Sequence, residues 1–186
     1  MTPIQTTITT IAVLLVILAL GFWYITTLDH KQASRELADS QAASALADNA
    51  SSTQYTDFAG NPANLQQYLG QVLVVTSWAS WSPSSAAELA LLANTASSYA
   101  DQGVIVLAIN RAETKSQAER YLRSIGVAQQ VRLIVDTDDR YYKQIGGFTM
   151  PETVFYDRRG NIVAHERGAL TAGEVNYYIG QALSQE

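Results

Sequence analysis

Apolar and polar positions along residues 72–99 follow two successive patterns, which predict a strand followed by a helix. Residues 72–75 form a continuous apolar run rich in β-branched side chains, typical of a strand buried on both faces. Residues 86–99 are rich in Ala, Leu and Glu, which favour helices. The apolar positions of that stretch are spaced to form one helix face: Ala86, Leu89, Ala90, Ala93 and Ala96. The turn between strand and helix places Ser82 at the helix N-terminus, with Pro83 at the first helical position.

The same two periodicities continue toward the C-terminus. From residue 55 onward they predict the order β, helix, β, helix, β, helix, β, short helix, β, β, helix. The predicted strands are 56–58, 72–75, 104–109, 131–135, 153–156 and 162–166. The predicted helices are 64–70, 86–99, 116–125, 140–145 and a last one that opens with the capping-box residues Thr171 and Glu174. Strands that alternate with helices and end in a hairpin predict an α/β fold with a mixed central sheet flanked by helices.

The N-terminal segment has a different pattern, because residues 1–28 contain no charged side chain. Its most apolar part, residues 8–25, would span about 27 Å as a helix, close to the thickness of a bilayer core. An aromatic cluster ends that part, formed by Phe22, Trp23 and Tyr24. We therefore predict a transmembrane anchor at 1–28. A cleavable signal peptide is the competing interpretation, although the bulky residues after the apolar core form no small-x-small cleavage site.

A linker and a folded domain follow the predicted anchor. Residues 29–54 are rich in Ala, Ser, Asp, Gln and Asn, which predicts a linker or stalk before a domain at 55–186. Lys31 and Arg35 lie just after the anchor. Taken alone, the positive-inside rule would place the domain that follows them in the cytoplasm.

Composition narrows the classes of function. The 186 residues are 47% hydrophobic and 16% charged, which is ordinary for a folded domain with an apolar segment. The net charge of −5 and the lack of any Lys/Arg cluster argue against nucleic acid as a partner. The chain has no cysteine, so disulfides, thiolate metal sites and cysteine nucleophiles are excluded.

No metal site and no cofactor are predicted either. The two histidines, His30 and His165, are far apart in the sequence. The acidic run at 136–139 is compatible in composition with a calcium loop, but the twelve-residue loop would end on Gly147, where a glutamate is needed. We interpret the run as capping the short helix predicted at 140–145.

The turn between the central strand and its helix carries a recognisable motif. Its sequence is Trp78-Ala79-Ser80-Trp81-Ser82-Pro83-Ser84-Ser85. It resembles the Trp-Ala-x-Trp-Cys-x-x-Cys motif of the thioredoxin superfamily, most closely that of the membrane-anchored TlpA/ResA-type thiol-disulfide oxidoreductases. Both cysteine positions are serine here, namely Ser82 and Ser85. A serine hydroxyl has neither the acidity nor the redox chemistry of a thiol, so no catalytic residue is expected.

A second segment, residues 146–160, resembles the family's Gly-x-x-x-x-Pro-Thr-x-x-x-x-Asp-x-x-Gly segment through Pro151, Asp157 and Gly160. In the family this proline is cis and faces the motif turn. The resemblance therefore implies a cis Met150–Pro151 bond and a Met150 backbone free to pair with an extended peptide. A trans proline that opens an edge strand is the alternative.

Three further residues gain an interpretation from the resemblance. Glu88 stands where the family carries a glutamate beneath the active site, and a glutamate on a solvated helix face is the alternative. Ala90 replaces the family's helix-kinking proline. Trp81 is either a stacking platform for a partner or packed against its own domain, whereas Trp78 is predicted to be core.

These features predict a membrane-anchored, thioredoxin-like protein that is redox-inactive and binds a protein or extended peptide, in envelope protein maturation or thiol homeostasis. The predicted binding residues are Trp81, Ser82, Pro83, Met150 and Pro151. The resemblance implies a single-pass protein of the inner (cytoplasmic) membrane with its domain on the periplasmic or extracytoplasmic side, opposite to the positive-inside rule.

Two enzyme hypotheses remain. The first is a thiol-disulfide oxidoreductase, such as a disulfide reductase of cytochrome c maturation, represented here by a double Cys→Ser variant. The second is a serine hydrolase built on Ser82 with His165 as its base. The hydrolase is disfavoured because no Gly-x-Ser-x-Gly motif is present. In addition, His165 falls on the terminal hairpin strand, where an exposed edge position is expected.

Overall fold

The computed structural model describes residues 53–127 and 131–185, which form a seven-stranded sheet flanked by helices. The strands are β1 (Tyr55–Asp57), β2 (Pro62–Ala63), β3 (Val72–Trp78), β4 (Val104–Arg111), β5 (Arg132–Asp136), β6 (Glu152–Tyr156) and β7 (Ile162–Arg167). The helices are α1 (Ser85–Tyr99), α2 (Lys115–Ile125), α3 (Arg140–Gln144) and α4 (Ala172–Ser184), with 3-10 helices at Leu65–Tyr68 and Ala100–Gln102. The predicted α/β fold is confirmed, and β2 is an addition to it.

The central strand β3 organises the sheet, whose strand order is β2-β1-β5-β4-β3-β6-β7. β3 pairs with β4 in parallel and with β6 antiparallel, so the sheet is mixed. All seven residues of β3 are buried, as the apolar run predicts. Because successive side chains point to opposite faces, Val72, Val74 and Trp78 enter the core beneath α1, α2 and α4. Leu73 and Val75 enter the core on the other face, with β1 and α3.

Helix α1 begins later than the sequence suggests. Its first residue is Ser85, and Pro83 lies in the preceding turn, which is closed by the N–H of Ser85 donating to the carbonyl of Ser82 at 3.2 Å. The N-cap is Ser84, so the prediction that Ser82 opens the helix is wrong by two residues. The predicted buried face is correct at Leu89 and Ala93, but Ala90 is exposed, while Glu88 and Leu92 are buried. Leucine buries more apolar area than alanine, so Leu89 and Leu92 contribute most of the apolar contact that orients the helix on the sheet.

Local signals set the ends of α2 and α4. Helix α2 ends at Gly126, whose φ of 70° lies in the left-handed region that glycine adopts without strain. Helix α4 opens with the predicted capping box. The Thr171 hydroxyl accepts from the N–H of Glu174, whose carboxylate accepts from the N–H of Thr171.

The acidic run before α3 caps the helix through one member. Oδ2 of Asp136 accepts from the N–H of Tyr141 at 2.8 Å. Asp139 directly precedes the helix but makes no capping bond, because its carboxylate pairs with Arg111. Within residues 53–127 and 131–185, no group of three or more acidic, histidine or cysteine side chains is arranged to hold a metal ion.

The predicted anchor at 1–28 lies outside the described residues, as does the linker up to residue 52. The part of the chain that the structure describes contains no helix with the length and apolar character needed to cross a membrane.

Candidate functional site

The two serines of the motif lie in the turn that joins β3 to α1. The hydroxyl of Ser82 donates to the carbonyl oxygen of Met150 at 3.1 Å. The hydroxyl of Ser85 accepts from the N–H of Ala79 at 3.4 Å. Both serines are buried, so each hydroxyl is a fixed hydrogen-bonding group that ties the turn to its surroundings.

The segment before β6 approaches this turn from the other side. The Met150–Pro151 peptide bond is cis, and Pro151 is buried. The family resemblance implies that the Met150 backbone is free, but its carbonyl accepts a hydrogen bond from the Ser82 hydroxyl. The N–H of Met150 has no hydrogen-bond partner within residues 53–127 and 131–185. The Met150 carbonyl is therefore shared with a side chain, whereas its N–H makes no hydrogen bond to these residues.

Two large apolar side chains flank these groups and face solvent. Trp81 is 61% exposed and Phe148 is 83% exposed. We define the Ser82 surface as Trp81, Ser82, Pro83, Phe148, Met150 and Pro151. Trp78, only three residues before Trp81, is fully buried and stacks on Tyr121 with ring centroids 5.7 Å apart.

Glu88 lies beneath the turn on the buried face of α1 and is 1% exposed. Its Oε1 accepts from the hydroxyl of Thr153 at 3.0 Å, and its Oε2 accepts from the N–H of Leu170 at 2.9 Å. Burial raises the pKa of the Glu88 carboxyl above its ordinary value because the charged form loses its hydration. The alternative of a glutamate on a solvated helix face is therefore wrong.

Glu152 is a second buried glutamate, which the two motifs did not predict. Its Oε1 accepts from the N–H groups of Phe148 and Thr149, and its Oε2 lies 2.8 Å from Nε2 of His165. Arg167 lies farther away, with Nε 3.8 Å from Oε1. The carboxylate thus holds the segment that leads into Met150. A charged residue at the first position of β6, where the family has threonine, is the sequence signal that identifies it.

The expected exposed position of His165 is a wrong prediction, because its side chain is partly buried and hydrogen-bonds to Glu152 on the adjacent strand β6. A serine hydrolase would need His165 against the Ser82 hydroxyl. In the structure His165 bonds to Glu152, and the Ser82 hydroxyl bonds to Met150. The two groups therefore do not form a nucleophile–base pair.

Comparisons with known proteins agree with the fold and the motif. The sequence model of the AhpC/TSA family matches residues 46–165. The thiol-disulfide oxidoreductase ResA of Geobacillus thermodenitrificans is 23% identical over 124 residues, which cover 67% of this chain and 70% of that protein. The thiol:disulfide interchange protein DsbE of Allochromatium vinosum is 35% identical over 99 residues, which cover 53% of this chain and 52% of that protein.

Solved structures show the same fold at low sequence identity. The structure of MTB dsbF superimposes with a TM-score of 0.66 at 19% identity, covering 72% of this chain and 97% of that one. The crystal structure of a putative DsbE from Chlorobium tepidum gives a TM-score of 0.66 at 22% identity, covering 73% of this chain and 96% of that one.

Proposed function

This chain belongs to the AhpC/TSA family as a thioredoxin-like domain homologous to the ResA and DsbE thiol-disulfide oxidoreductases, and from that premise we propose that it is a binding module without redox turnover. The proposed partner is a protein or an extended polypeptide held at the Ser82 surface. The observation that carries the proposal is the combination of an intact turn geometry with serine at both cysteine positions.

The absence of sulfur removes the chemistry of the homologues. Thiol–disulfide exchange begins with attack of a thiolate on a disulfide sulfur and passes through a mixed disulfide. The hydroxyls of Ser82 and Ser85 cannot form that intermediate, and the chain has no cysteine elsewhere to replace them. What remains in the turn is the pair of hydrogen bonds made by Ser82 and Ser85.

The groups that remain suit main-chain recognition. An extended peptide can pair with the free N–H of Met150, and a peptide N–H can share the Met150 carbonyl with the Ser82 hydroxyl. The exposed side chains of Trp81 and Phe148 offer apolar contact to such a peptide. Main-chain pairing supplies affinity for any extended segment, and the two aromatic side chains favour apolar residues within it.

We further propose that residues 1–28 anchor the protein in the inner (cytoplasmic) membrane as a single span, with residues 29–54 as a stalk. The uncharged apolar run supports the anchor. The domain is then extracytoplasmic or periplasmic, and envelope protein maturation or thiol homeostasis is the proposed setting.

Binding is tested by titrating the full chain in detergent with an unfolded, carboxymethylated polypeptide, which carries no free thiol. Trp81→Ala or Phe148→Ala should weaken binding by about tenfold, as loss of an aromatic anchor does. The matched control is Tyr177→Ala, because Tyr177 is 62% exposed but lies on α4 outside the Ser82 surface. Absence of binding by the parent chain, or equal loss in the control, would contradict the proposal.

The alternative function, a thiol-disulfide oxidoreductase seen as a double Cys→Ser variant, is favoured by the position of Glu88 beneath the turn. It is tested by insulin reduction with the parent and the Ser82→Cys/Ser85→Cys variant. An inert parent and an active double variant would mean that the site lacks only its sulfur atoms. An inert double variant would mean that the surface has diverged further, and the homologues' substrates should not be transferred to this chain.

A further inference from the structure

A third buried glutamate, Glu113, lies beside the motif turn, just after the end of β4. It follows β4 after a sharp turn at Ala112, whose φ of 53° is unusual for a residue other than glycine. The turn directs Glu113 back toward Ser80, the residue that precedes Trp81 and Ser82. Glu113 is 6% exposed, although it lies in a loop of polar residues.

Each oxygen of the Glu113 carboxylate accepts two hydrogen bonds. Oε1 accepts from the hydroxyl of Ser80 at 2.5 Å and from Nε2 of Gln117 at 2.7 Å. Oε2 accepts from the N–H of Ser80 at 2.9 Å and from Nδ2 of Asn110 at 2.7 Å. Ser80 is thus held through both its main chain and its side chain.

All four donors are neutral. Within the described ranges, no lysine, arginine or histidine lies within ion-pair distance of Glu113. A buried carboxylate that is balanced only by hydrogen bonds requires every one of its donors, because each lost bond leaves a desolvated polar group. The arrangement therefore holds Ser80 in one position.

We propose that Glu113 is a positioning residue for the Ser82 surface, fixing Ser80 so that Trp81 projects into solvent and Ser82 reaches Met150. The inference rests on the proposed function, since it assigns a role in the same binding surface. It adds two residues, Glu113 and Gln117, that lie outside both motifs.

Because all the groups around Glu113 are hydrogen-bond donors, a variant that replaces one of its acceptor oxygens tests the positioning role. Glu113→Gln keeps the size of the side chain but replaces one acceptor oxygen with an NH2 group. At the position of Oε1 that group faces the NH2 group of Gln117, and at the position of Oε2 it faces two N–H donors. The second orientation sets donor against donor, and the first requires the Gln117 amide to rotate and present its oxygen. In both orientations a neutral amide oxygen replaces the charged acceptor of Ser80 and Asn110, which weakens their hydrogen bonds. We expect Glu113→Gln to weaken binding of the carboxymethylated polypeptide by about fivefold, the loss typical of one hydrogen bond.

Exchanging the two side chains should restore the site. In Glu113→Gln/Gln117→Glu, the amide oxygen at position 113 accepts from Ser80 and Asn110, and its NH2 group donates to the new carboxylate at position 117. The Ser80 hydroxyl can then donate to that carboxylate. Net charge and composition are unchanged, so recovery of the affinity to within about twofold would reflect hydrogen-bond complementarity alone. The control is Glu119→Gln, because Glu119 lies on the same helix as Gln117 and, among the residues that the structure describes, forms surface ion pairs with Lys115 and Arg123 alone.

Hydrogen exchange at the Ser80 N–H gives a readout that does not depend on binding. Exchange should accelerate in Glu113→Gln and return to the parent rate in the double variant, while Glu119→Gln leaves it unchanged. If the parent binds no polypeptide, the proposed function fails, and the Ser80 rates still test the positioning role. Unchanged Ser80 exchange in Glu113→Gln would overturn that role. A folded double variant that does not recover protection would overturn it as well, even if the single variant fails to fold.

Discussion

The Ser82 surface and the buried carboxylates near it differ in side-chain exposure and in charge. The surface carries exposed aromatic side chains and no ionisable group, while Glu88, Glu113 and Glu152 are buried behind it. Each of these glutamates accepts at least two hydrogen bonds. A cysteine-sized side chain in the turn can become serine without disturbing the sheet. Removal of a buried carboxylate, in contrast, leaves its hydrogen-bond donors without an acceptor. Reactive chemistry can therefore be absent from the surface while the support beneath it stays intact.

The largest loss of stability is expected from Glu152→Ala. This change leaves the N–H groups of Phe148 and Thr149 and the ring of His165 without their acceptor. Unfolding in urea should show a loss of about 2–4 kcal/mol in the free energy of unfolding. Glu152→Gln is the matched control. Its amide oxygen can accept both N–H groups and its NH2 group can donate to His165, so the loss should stay below about 1 kcal/mol. Equal losses in both variants would mean that the carboxylate does not act through these bonds.

A smaller, pH-dependent change in the free energy of unfolding is expected from Glu88→Gln. Burial raises the folded-state pKa of Glu88 above its ordinary value of 4.5, so the folded chain binds this proton more tightly than the unfolded chain. The stabilisation that comes from this tighter proton binding is fully present below the ordinary pKa of the carboxyl. It is lost as the pH rises through the pKa of Glu88 in the folded chain. Glu88→Gln has no such titration, and its amide can donate to Thr153 and accept from Leu170.

The measurement is the free energy of unfolding of the parent and Glu88→Gln at several pH values from 4 upward. The stability of the variant relative to the parent should increase as the pH rises above the ordinary carboxyl pKa. A difference that is constant with pH would mean that Glu88 titrates as it does in the unfolded chain.

The smallest effect on stability is expected from Trp81→Ala, because the side chain is largely exposed. The free energy of unfolding should change by no more than about 0.5 kcal/mol, in contrast to its effect on polypeptide binding. A loss above about 1 kcal/mol would show that Trp81 packs against its own domain and is unavailable as a platform for a partner.

Much of the fold could be predicted because its signals are local. The apolar run at 72–75 required burial on both faces, Gly126 supplied a left-handed helix end, and Thr171 with Glu174 formed a capping box. The buried face of α1 could not be predicted from spacing alone. Ala90 and Leu89 both fit an apolar stripe, and contact with the sheet selects the leucine.

The candidate site, like the fold, has one part that the sequence predicted and another that it did not. The amino-acid sequence determined the chemical limit of this protein, since a chain without cysteine cannot exchange disulfides, and its two motifs located the Ser82 surface. The roles of Glu88, Glu113 and Glu152 arise only in the folded chain. Their partners include Leu170, Ser80 and His165, which lie 82, 33 and 13 residues away. A carboxylate in a sequence has no burial and no donors, and both properties come from strands and helices that meet only when the sheet forms.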